Sequence, residues 1–355
     1  MSLEKLRKQI DKLDAKLVEL LNERVNVAVE IGKTKKEQGG EVYVPSREKE
    51  VFDRISQLNQ GGALPDKSAR AIYREIMSAA LALESNLRIS YLGPPATFTH
   101  QAARSKFGAS VEYHPAGSIA DVFAAVENGN ADYGVVPIEN STEGAVTHTF
   151  DQFTGTTLKI CAEIYLPISL CLMASVPREK VSRICTKQEA LGQCRRWLNA
   201  NMSGIEFDAV NSTTLAAEMA STSDCAAVAS QLAAELYGLD VLADNIQDVS
   251  GNTTRFLVIG KKYGEPTGED KTSIYFGIKD DVGALHDALD ALKRNGINMS
   301  KIESRPSKNK AWEYYFFVDF DSHADNPHVK VALEELKEHC AVLTVLGSYP
   351  RANGI

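Results

Sequence analysis

Apolar residues recur at alternating spacings of three and four along the start of the chain: Leu3, Leu6, Ile10, Leu13, Leu17, Leu20, Val27 and Ile31. This heptad seam, sustained for about 30 residues, predicts a long helix that needs a helical partner. Gly39-Gly40 ends it, and Pro45-Ser46 opens a second helix with Ser46 as N-cap. Gly61-Gly62 breaks that helix. Pro65-Asp66 opens a third, carrying Ile72, Ile76, Ala79, Ala80 and Leu83 and ending near Glu84. Three helices cannot bury this much seam alone, so a second copy of the chain is expected.

From Arg88 the period changes to short apolar runs alternating with helical patterns. Ile89–Gly93 and Tyr133–Ile138 read as strands, Ser118 as the cap of a helix closed by Asn128, and Phe256-Leu257-Val258-Ile259 as a buried strand. Strands around 157–175 cross to a second α/β region, so two parallel-type lobes with a cleft between them are expected. The polar, breaker-rich segment from Lys261 to Asp270 reads as a linker. Beyond it come strand 273–279, a helix bearing Leu285, Ala288, Leu289 and Leu292, and strand 297–304. A strand from Trp312 to Phe320, a helix bearing Val329, Ala332, Leu333 and Leu336, and a strand ending at Leu346 complete a βαββαβ, ferredoxin-like order.

The length of 355 residues suits roughly two to three domains. A net charge of −8 argues against general nucleic-acid or anionic-membrane binding, while leaving room for a small anionic substrate held by local cations. The six cysteines include no C-x-x-C pair, and with seven scattered histidines they give no metal pattern; reduced core thiols in a cytoplasmic protein are expected. The start of the chain has no apolar signal core, and no stretch is apolar enough to span a bilayer.

Two places carry chemistry. Arg24 occupies a seam position, where a buried guanidinium costs several kcal/mol unless an anion pairs with it. Lys35 follows about 16 Å along the axis and about 20° round, so two long cations share one face and could grip a small dianion. Arg7 lies about 25 Å from Arg24 and roughly 100° round, and could reach such a site only from an antiparallel second copy. A dimerisation coiled coil with one polar residue fixing register is the alternative. The second place is Asn252-Thr253-Thr254-Arg255, polar residues at the mouth of a strand, where sheets present ligands. Glu139-Asn140-Ser141-Thr142 likewise ends a strand and runs towards a helix N-terminus, a donor-rich cradle or an ordinary capping turn.

The motifs L-R-K-Q-I-D-x-L-D (6–14), L-L-N-E-R (20–24), V-x-I-G-K-x-K (29–35) and P-S-R-E (45–48) resemble the all-helical chorismate mutase domain. The resemblance implies that Arg24 and Lys35, with Arg7 of a second chain, hold the chorismate carboxylates. It implies that Glu48, with the backbone near Val44 and support from Arg47, takes the ring hydroxyl, and that Lys35 and Glu84 flank the ether oxygen. Ala80 stands where the family often has Ser, and Glu84 where some members have Gln.

Y-L-G-P-x-x-T-F-T-H (91–100), G-V-V-P-I-E-N-S-x-x-G-x-V (134–146), A-L-x-Q-C-R-x-W-L (190–198) and N-x-T-R-F (252–256) occur in order and resemble prephenate dehydratase. That implies Thr254 as the essential residue, Glu139, Asn140, Ser141 and Thr142 lining the cleft, and Arg255 near the substrate carboxylates. Leu170 and Lys187 stand where relatives often carry His. G-A-L-x-x-x-L (283–289) and E-S-R-P (303–306) resemble an ACT regulatory domain, with Val282 replacing a common proline. The implied phenylalanine contacts are Gly283, Ala284, Leu285, Glu303, Ser304 and Arg305. Expected domains are therefore 1–86, 88–262 and 273–355: a helical mutase dimer domain, a two-lobed α/β dehydratase domain and an α+β ACT domain. Two activities inhibited by phenylalanine, no cofactor or metal, and a homodimer or larger assembly follow from the resemblance. Rivals are a non-catalytic amino-acid sensor and a dehydratase whose helices have lost mutase activity.

Overall fold

The structure is a computed structural model and describes residues 2–40, 43–279, 281–307 and 314–352. The chain divides into two compact units, one of Met1–Arg88 with Lys106–Glu112 and the other of Ile89–Ser105 with Tyr113–Ile355.

The first unit is built on α1 (Leu3–Glu37), α2 (Pro45–Leu58) and α3 (Asp66–Glu84). Ser2 caps α1, accepting from the Lys5 amide. Val44, not Ser46, is the N-cap of α2, with Pro45 at the first helical position, where a missing N–H costs nothing. The predicted seam of α1 stays open: Leu6, Ile10, Leu13 and Leu17 are 44%, 56%, 50% and 56% exposed. Segment Lys106–Glu112 completes this unit. Phe107 lies 4.9 Å from the Tyr43 ring, the Ser110 amide donates to Ser78 Oγ at 3.0 Å, and the Ala109 amide donates to Glu75 at 3.0 Å. Gly108, at φ +76°, makes that approach possible, because a Cβ there would meet the Ser78 side chain.

The second unit opens with β1 (Arg88–Leu92), α4 (Phe98–Phe107), β2 (Glu112–Ala116), α5 (Ile119–Glu127), β3 (Tyr133–Asn140), β4 (Gly144–Ala145), α6 (Thr147–Phe153) and β5 (Lys159–Pro167). There follow β6 (Cys171–Ala174), β7 (Arg183–Thr186), α7 (Gln188–Asn201), β8 (Glu206–Ala209), α8 (Thr213–Thr222), β9 (Ala226–Ala229), α9 (Gln231–Tyr237), β10 (Asp240–Ala243) and β11 (Thr253–Gly260). The C-terminal part is β12 (Asp270–Ile278), α10 (Ala284–Arg294), β13 (Met299–Pro306), β14 (Tyr314–Asp321), α11 (Pro327–His339) and β15 (Cys340–Pro350).

Among the described residues, one lobe holds a sheet in the order β2-β1-β3-β11-β5, with β4 on β3; the other holds β10-β6-β9-β7-β8. Neither is purely parallel, as the sequence suggested. β11 runs antiparallel to both β3 and β5, entering the first sheet after the chain has built the second lobe, and within the second sheet β6 runs antiparallel to β9 and β10. The turn between β1 and α4 is held by the second lobe: Thr214 Oγ1 donates to the Pro95 carbonyl and Ser230 Oγ to the Ala96 carbonyl, both at 2.9 Å.

The last sheet has the order β13-β14-β12-β15, the ferredoxin-like arrangement. Trp312, expected to start its third strand, lies outside the described residues. The segment read as a linker does not separate two cores. Tyr275, Phe317, Leu346 and Tyr349 of the C-terminal sheet pack with Ile138, Phe153, Ile160 and Leu257 of the first lobe in one apolar cluster. Lys159 Nζ on β5 donates to the Val345 carbonyl at 2.6 Å, so charge as well as apolar area joins the two sheets. The six cysteines are buried and form no disulfide among the described residues. No helix of the described residues is long and apolar enough to cross a membrane.

Candidate functional site

In the first unit an open pocket of about 720 Å³ gathers Arg24, Lys35, Val44, Arg47, Glu48, Ala80 and Glu84. Of the expected chorismate contacts only Arg7 is absent; it is exposed on α1. Among the described residues Arg24 keeps a buried Nη1 with no hydrogen-bond partner, which leaves its charge unbalanced on that side. Glu84 is half-buried, and burial raises its pKa against the opposing pull of Lys35 and Arg24. Its place depends on Gly32 of the G-K-x-K motif, where a Cβ would sit 2.9 Å from Glu84 Cγ.

Glu48 is 5% exposed and crowded by donors. It accepts from Tyr43 Oη at 2.9 Å, pairs with Lys106 Nζ at 2.6 Å, and pairs with Arg74. Arg47 is turned to Glu50, at 2.6 Å, rather than to Glu48. The Val44 carbonyl accepts the Glu48 amide at 3.0 Å, as an N-cap must. The sequence reading missed Lys106 and Arg74. Neither falls in a motif, and only folding brings them to this carboxylate.

In the second unit the two strand ends singled out in the sequence meet. β3 and β11 are neighbours with Asn140 opposite Thr254 and Glu139 opposite Arg255. Asn140 Nδ2 donates to Thr254 Oγ1 and to Asn252 Oδ1, both at 2.8 Å. Asn140 Oδ1 accepts the Thr142 and Glu143 amides at 2.9 and 3.0 Å. Ser141 and Thr253 clamp the same corner: Ser141 Oγ accepts the Thr253 amide at 3.0 Å, and the Ser141 amide donates to the Thr253 carbonyl at 2.9 Å. The cradle is therefore closed on Asn140, and β4 intervenes before α6, so the turn does not feed a helix N-terminus directly. Thr254 is 8% exposed, with one oxygen lone pair already used by Asn140; its hydroxyl proton is the group it can offer a ligand.

An open pocket of about 670 Å³ adjoins this corner, lined by Thr142, Gly192, Gln193, Arg196, Gln247, Asp248, Val249 and Asn252. Gln193 Nε2 lies 3.4 Å from Glu143 Oε1 across it, and Asp248 accepts the Arg196 and Trp197 amides at 2.8 and 3.0 Å. The second-lobe residues were not anticipated, although Gln193 lies within a quoted motif; Arg196 and Asp248 carried no signal of their own. Leu170 is 1% exposed, packed in the second lobe's core, with its amide donated to Gln247 Oε1 at 3.0 Å. His100, from the first dehydratase motif, stacks on Tyr91, and its Nδ1 accepts the Ala96 amide. Burial, with the Arg104 charge, pushes it down to about 4, so it is a neutral structural acceptor.

Arg255, expected near the substrate carboxylates, is paired with carboxylates of the protein itself. It is 6% exposed and each guanidinium nitrogen is engaged: Nε donates to Glu163 at 2.9 Å, Nη1 to Asp319 at 2.5 Å and Nη2 to Tyr349 Oη at 3.0 Å. Burial opposes its charge, but Tyr349, Asp319 and Glu163 hold its pKa well above the ordinary range. Lys271 joins from β12, donating to both Glu163 oxygens at 3.0 and 2.9 Å. Two cations and two carboxylates form a buried, charge-balanced cluster joining the first lobe to the C-terminal sheet. Alternation along β11 explains the difference: Thr254 and Arg255 point to opposite faces.

The expected regulatory residues fall on two elements. Gly283 is the N-cap of α10, at φ +84°, with Ala284 and Leu285 in the first turn. Glu303, Ser304 and Arg305 lie on β13, the edge strand. Ser304 is exposed, while Lys301, Glu303 and Arg305 share the half-buried face.

Comparison with known proteins places three family models on the chain: Chorismate mutase type II over residues 6–85, Prephenate dehydratase over 89–263 and ACT domain over 272–338. The chain is 50% identical over 355 residues to the bifunctional chorismate mutase/prephenate dehydratase of Aquifex aeolicus (strain VF5), covering 99% of this chain and 98% of that one. It is 42% identical over 358 residues to the protein of the same description from Pseudomonas aeruginosa, covering 99% and 98%. Among solved structures, a prephenate dehydratase from Arthrobacter aurescens in complex with L-Phe matches with a TM-score of 0.68 and 35% identity, over 75% of this chain and 90% of that one.

Proposed function

The chain belongs to the bifunctional chorismate mutase/prephenate dehydratase family, and from that premise we propose how its two pockets divide the work. It rearranges chorismate to prephenate, then removes water and carbon dioxide from prephenate to give phenylpyruvate. The rearrangement needs no nucleophile or base, only a compact conformer and charge stabilisation at the ether oxygen. Arg24 and Lys35 bind the substrate carboxylates, and the unpartnered Arg24 Nη1 supports that role. Protonated Glu84, with Lys35, donates to the ether oxygen as its bond to the ring breaks. Glu48 orients the ring hydroxyl, its own position fixed by Tyr43, Arg74 and Lys106.

In the dehydratase cleft the ring carboxylate leaves as CO2, its bonding electrons flow into the ring, and the ring hydroxyl departs as water. Aromatisation drives the step, so the protein's task is to bind the dianion and assist the leaving oxygen. Thr254 shares its hydroxyl proton with that oxygen while Asn140 holds Thr254 Oγ1 in place. Ser141 and Thr142 shape the first-lobe wall, while Glu139, expected there, lies on the Arg255 face and pairs with Lys301; Gln193 and Arg196 provide polar contacts from the second lobe. Two strands meeting so that Asn140 bonds Thr254 is the observation that carries the dehydratase reading.

The exposed α1 seam supports a homodimer in which a second copy covers it and supplies Arg7 to the mutase pocket. The ACT domain supports inhibition by phenylalanine bound near Gly283–Leu285 and Glu303–Arg305. The reactions need no membrane, in keeping with a cytoplasmic enzyme. The test is one assay: purified protein with chorismate, following prephenate and phenylpyruvate with and without phenylalanine. Prephenate then phenylpyruvate, the latter slowed by phenylalanine, is expected. Absence of both products overturns the reading, and prephenate alone limits it to the mutase.

A further inference from the structure

We propose that Lys301 of the C-terminal sheet is a positioning residue for the dehydratase, holding the Glu139–Asn140 corner in register with Thr254. Lys301 Nζ lies 2.5 Å from Glu139 Oε2, with side-chain exposures of 15% and 40%. The ammonium is buried, makes no directed hydrogen bond and stands 5.5 Å from the Phe150 ring centre, so the contact is a partly desolvated ion pair. Charges in such surroundings attract more strongly than on an open surface.

The geometry gives the pair leverage. Glu139 is the residue before Asn140, and Asn140 is the donor that holds Thr254 Oγ1. Lys301 sits on β13, two residues before Glu303, on the face it shares with Arg305. Arg305 approaches a second carboxylate of the first lobe, Asp151 on α6, at 3.8 Å, and its Nε is buried without a hydrogen-bond partner among the described residues. One edge strand thus sets two cations against two carboxylates, and the strand named for phenylalanine binding also touches the catalytic corner. Among the described residues β13 pairs with β14 alone, so it can shift with less disruption than a central strand. A shift of β13 would move Lys301, then Glu139, then Asn140, and so misplace Thr254.

The inference rests on the dehydratase and phenylalanine readings above, and its test keeps them apart. Full-length Lys301→Met and Lys301→Arg proteins are assayed with prephenate and with chorismate, with and without phenylalanine, and phenylalanine binding is measured by equilibrium dialysis. Lys301→Met is expected to lower dehydratase kcat about tenfold with little change in KM, as for a misplaced catalytic group. It should leave mutase turnover unchanged and cut the phenylalanine effect at least about fivefold while phenylalanine still binds. Lys301→Arg, which keeps the charge, should restore most of both. Dehydratase kcat and inhibition within twofold of the parent in Lys301→Met overturn the proposal, as does a Lys301→Arg protein no better than Lys301→Met. A parent protein indifferent to phenylalanine would sink the regulatory reading alone, and the kcat comparison would still decide the role of Lys301.

Discussion

Gly32 on α1 faces the Glu84 side chain on α3: a Cβ on Gly32 would lie 2.9 Å from Glu84 Cγ and 3.0 Å from Glu84 Cβ. Glycine in a helix interior costs about 1 kcal/mol relative to alanine, so its presence here needs a reason, and the Glu84 side chain is that reason. Gly32→Ala should gain helix propensity yet displace the Glu84 carboxyl. Mutase kcat/KM is expected to fall roughly tenfold to a hundredfold, with dehydratase activity on supplied prephenate unchanged. Equal loss of both activities would show that the substitution unfolds the chain instead.

Glu84 also sets a pH dependence. Burial raises its pKa, with Lys35 and Arg24 pulling the other way. With the protonated form as the proposed donor to the ether oxygen, mutase kcat should fall as pH rises through the Glu84 value. Glu84→Gln, a donor at every pH, should flatten that limb. The stability sign follows from the same shift. A carboxyl with a raised folded-state pKa makes the fold bind its proton more tightly, so its contribution is full below the ordinary glutamate value. That contribution declines as pH climbs to the raised value and is constant beyond it. A pH–rate profile identical in parent and Glu84→Gln proteins would remove Glu84 from the chemistry.

Thr254→Ala should lower dehydratase turnover by about 10²–10⁴-fold, the usual range for a lost proton donor, and leave the mutase intact. Asn140→Leu should act in the same direction but less strongly. It keeps the hydroxyl while removing the amide that fixes it, together with the acceptor for the Thr142 and Glu143 amides. The check is prephenate kinetics on both variants: a rise mainly in KM, with kcat held, would mean that the corner binds substrate rather than placing a proton.

Arg255 should behave as a structural ion, although it adjoins Thr254. Truncating one member of a buried charge cluster leaves the others unpaired, at a cost of about 3–5 kcal/mol. Arg255→Met is therefore expected to lower the unfolding midpoint of the dehydratase part, with KM for prephenate within about twofold in the protein that remains folded. A normal midpoint with a much raised KM would restore Arg255 to the substrate site.

Much of this was legible because the chemistry interrupts a regular pattern. Arg24 stands out on an apolar seam, and the seam holds more apolar residues than three helices can bury. Thr254 and Asn140 each end an apolar strand, so both could be named from sequence, but their mutual hydrogen bond depends on a pairing register that no local pattern encodes. The surroundings of Arg255 were hidden for a related reason. Strand alternation says that it opposes Thr254, but not that Glu163, Asp319 and Tyr349 wait on the other side. Lys106 and Lys301 were silent, since a lone lysine in a helix or strand reads as a solvated charge until folding supplies its carboxylate.

Gly347 offers the last test, of the shared core. A Cβ there would fall 2.2 Å from the Ile160 carbonyl oxygen and 2.8 Å from its amide nitrogen, both backbone atoms that cannot rotate away. The C-terminal sheet and the first lobe can pack this closely only because β15 carries no side chain at that point. Gly347→Ala must push β15 off β5, straining the Lys159 contact to Val345 and the Arg255–Tyr349 bond that lie beside it. A cost of at least about 1–3 kcal/mol is expected, as for overpacking a core. Thermal unfolding should show a lowered dehydratase transition, and phenylalanine inhibition should weaken because the sheet that carries β13 is displaced, while the mutase reaction is unaffected. An unchanged transition would mean that the two sheets tolerate separation and that their shared core contributes little to stability.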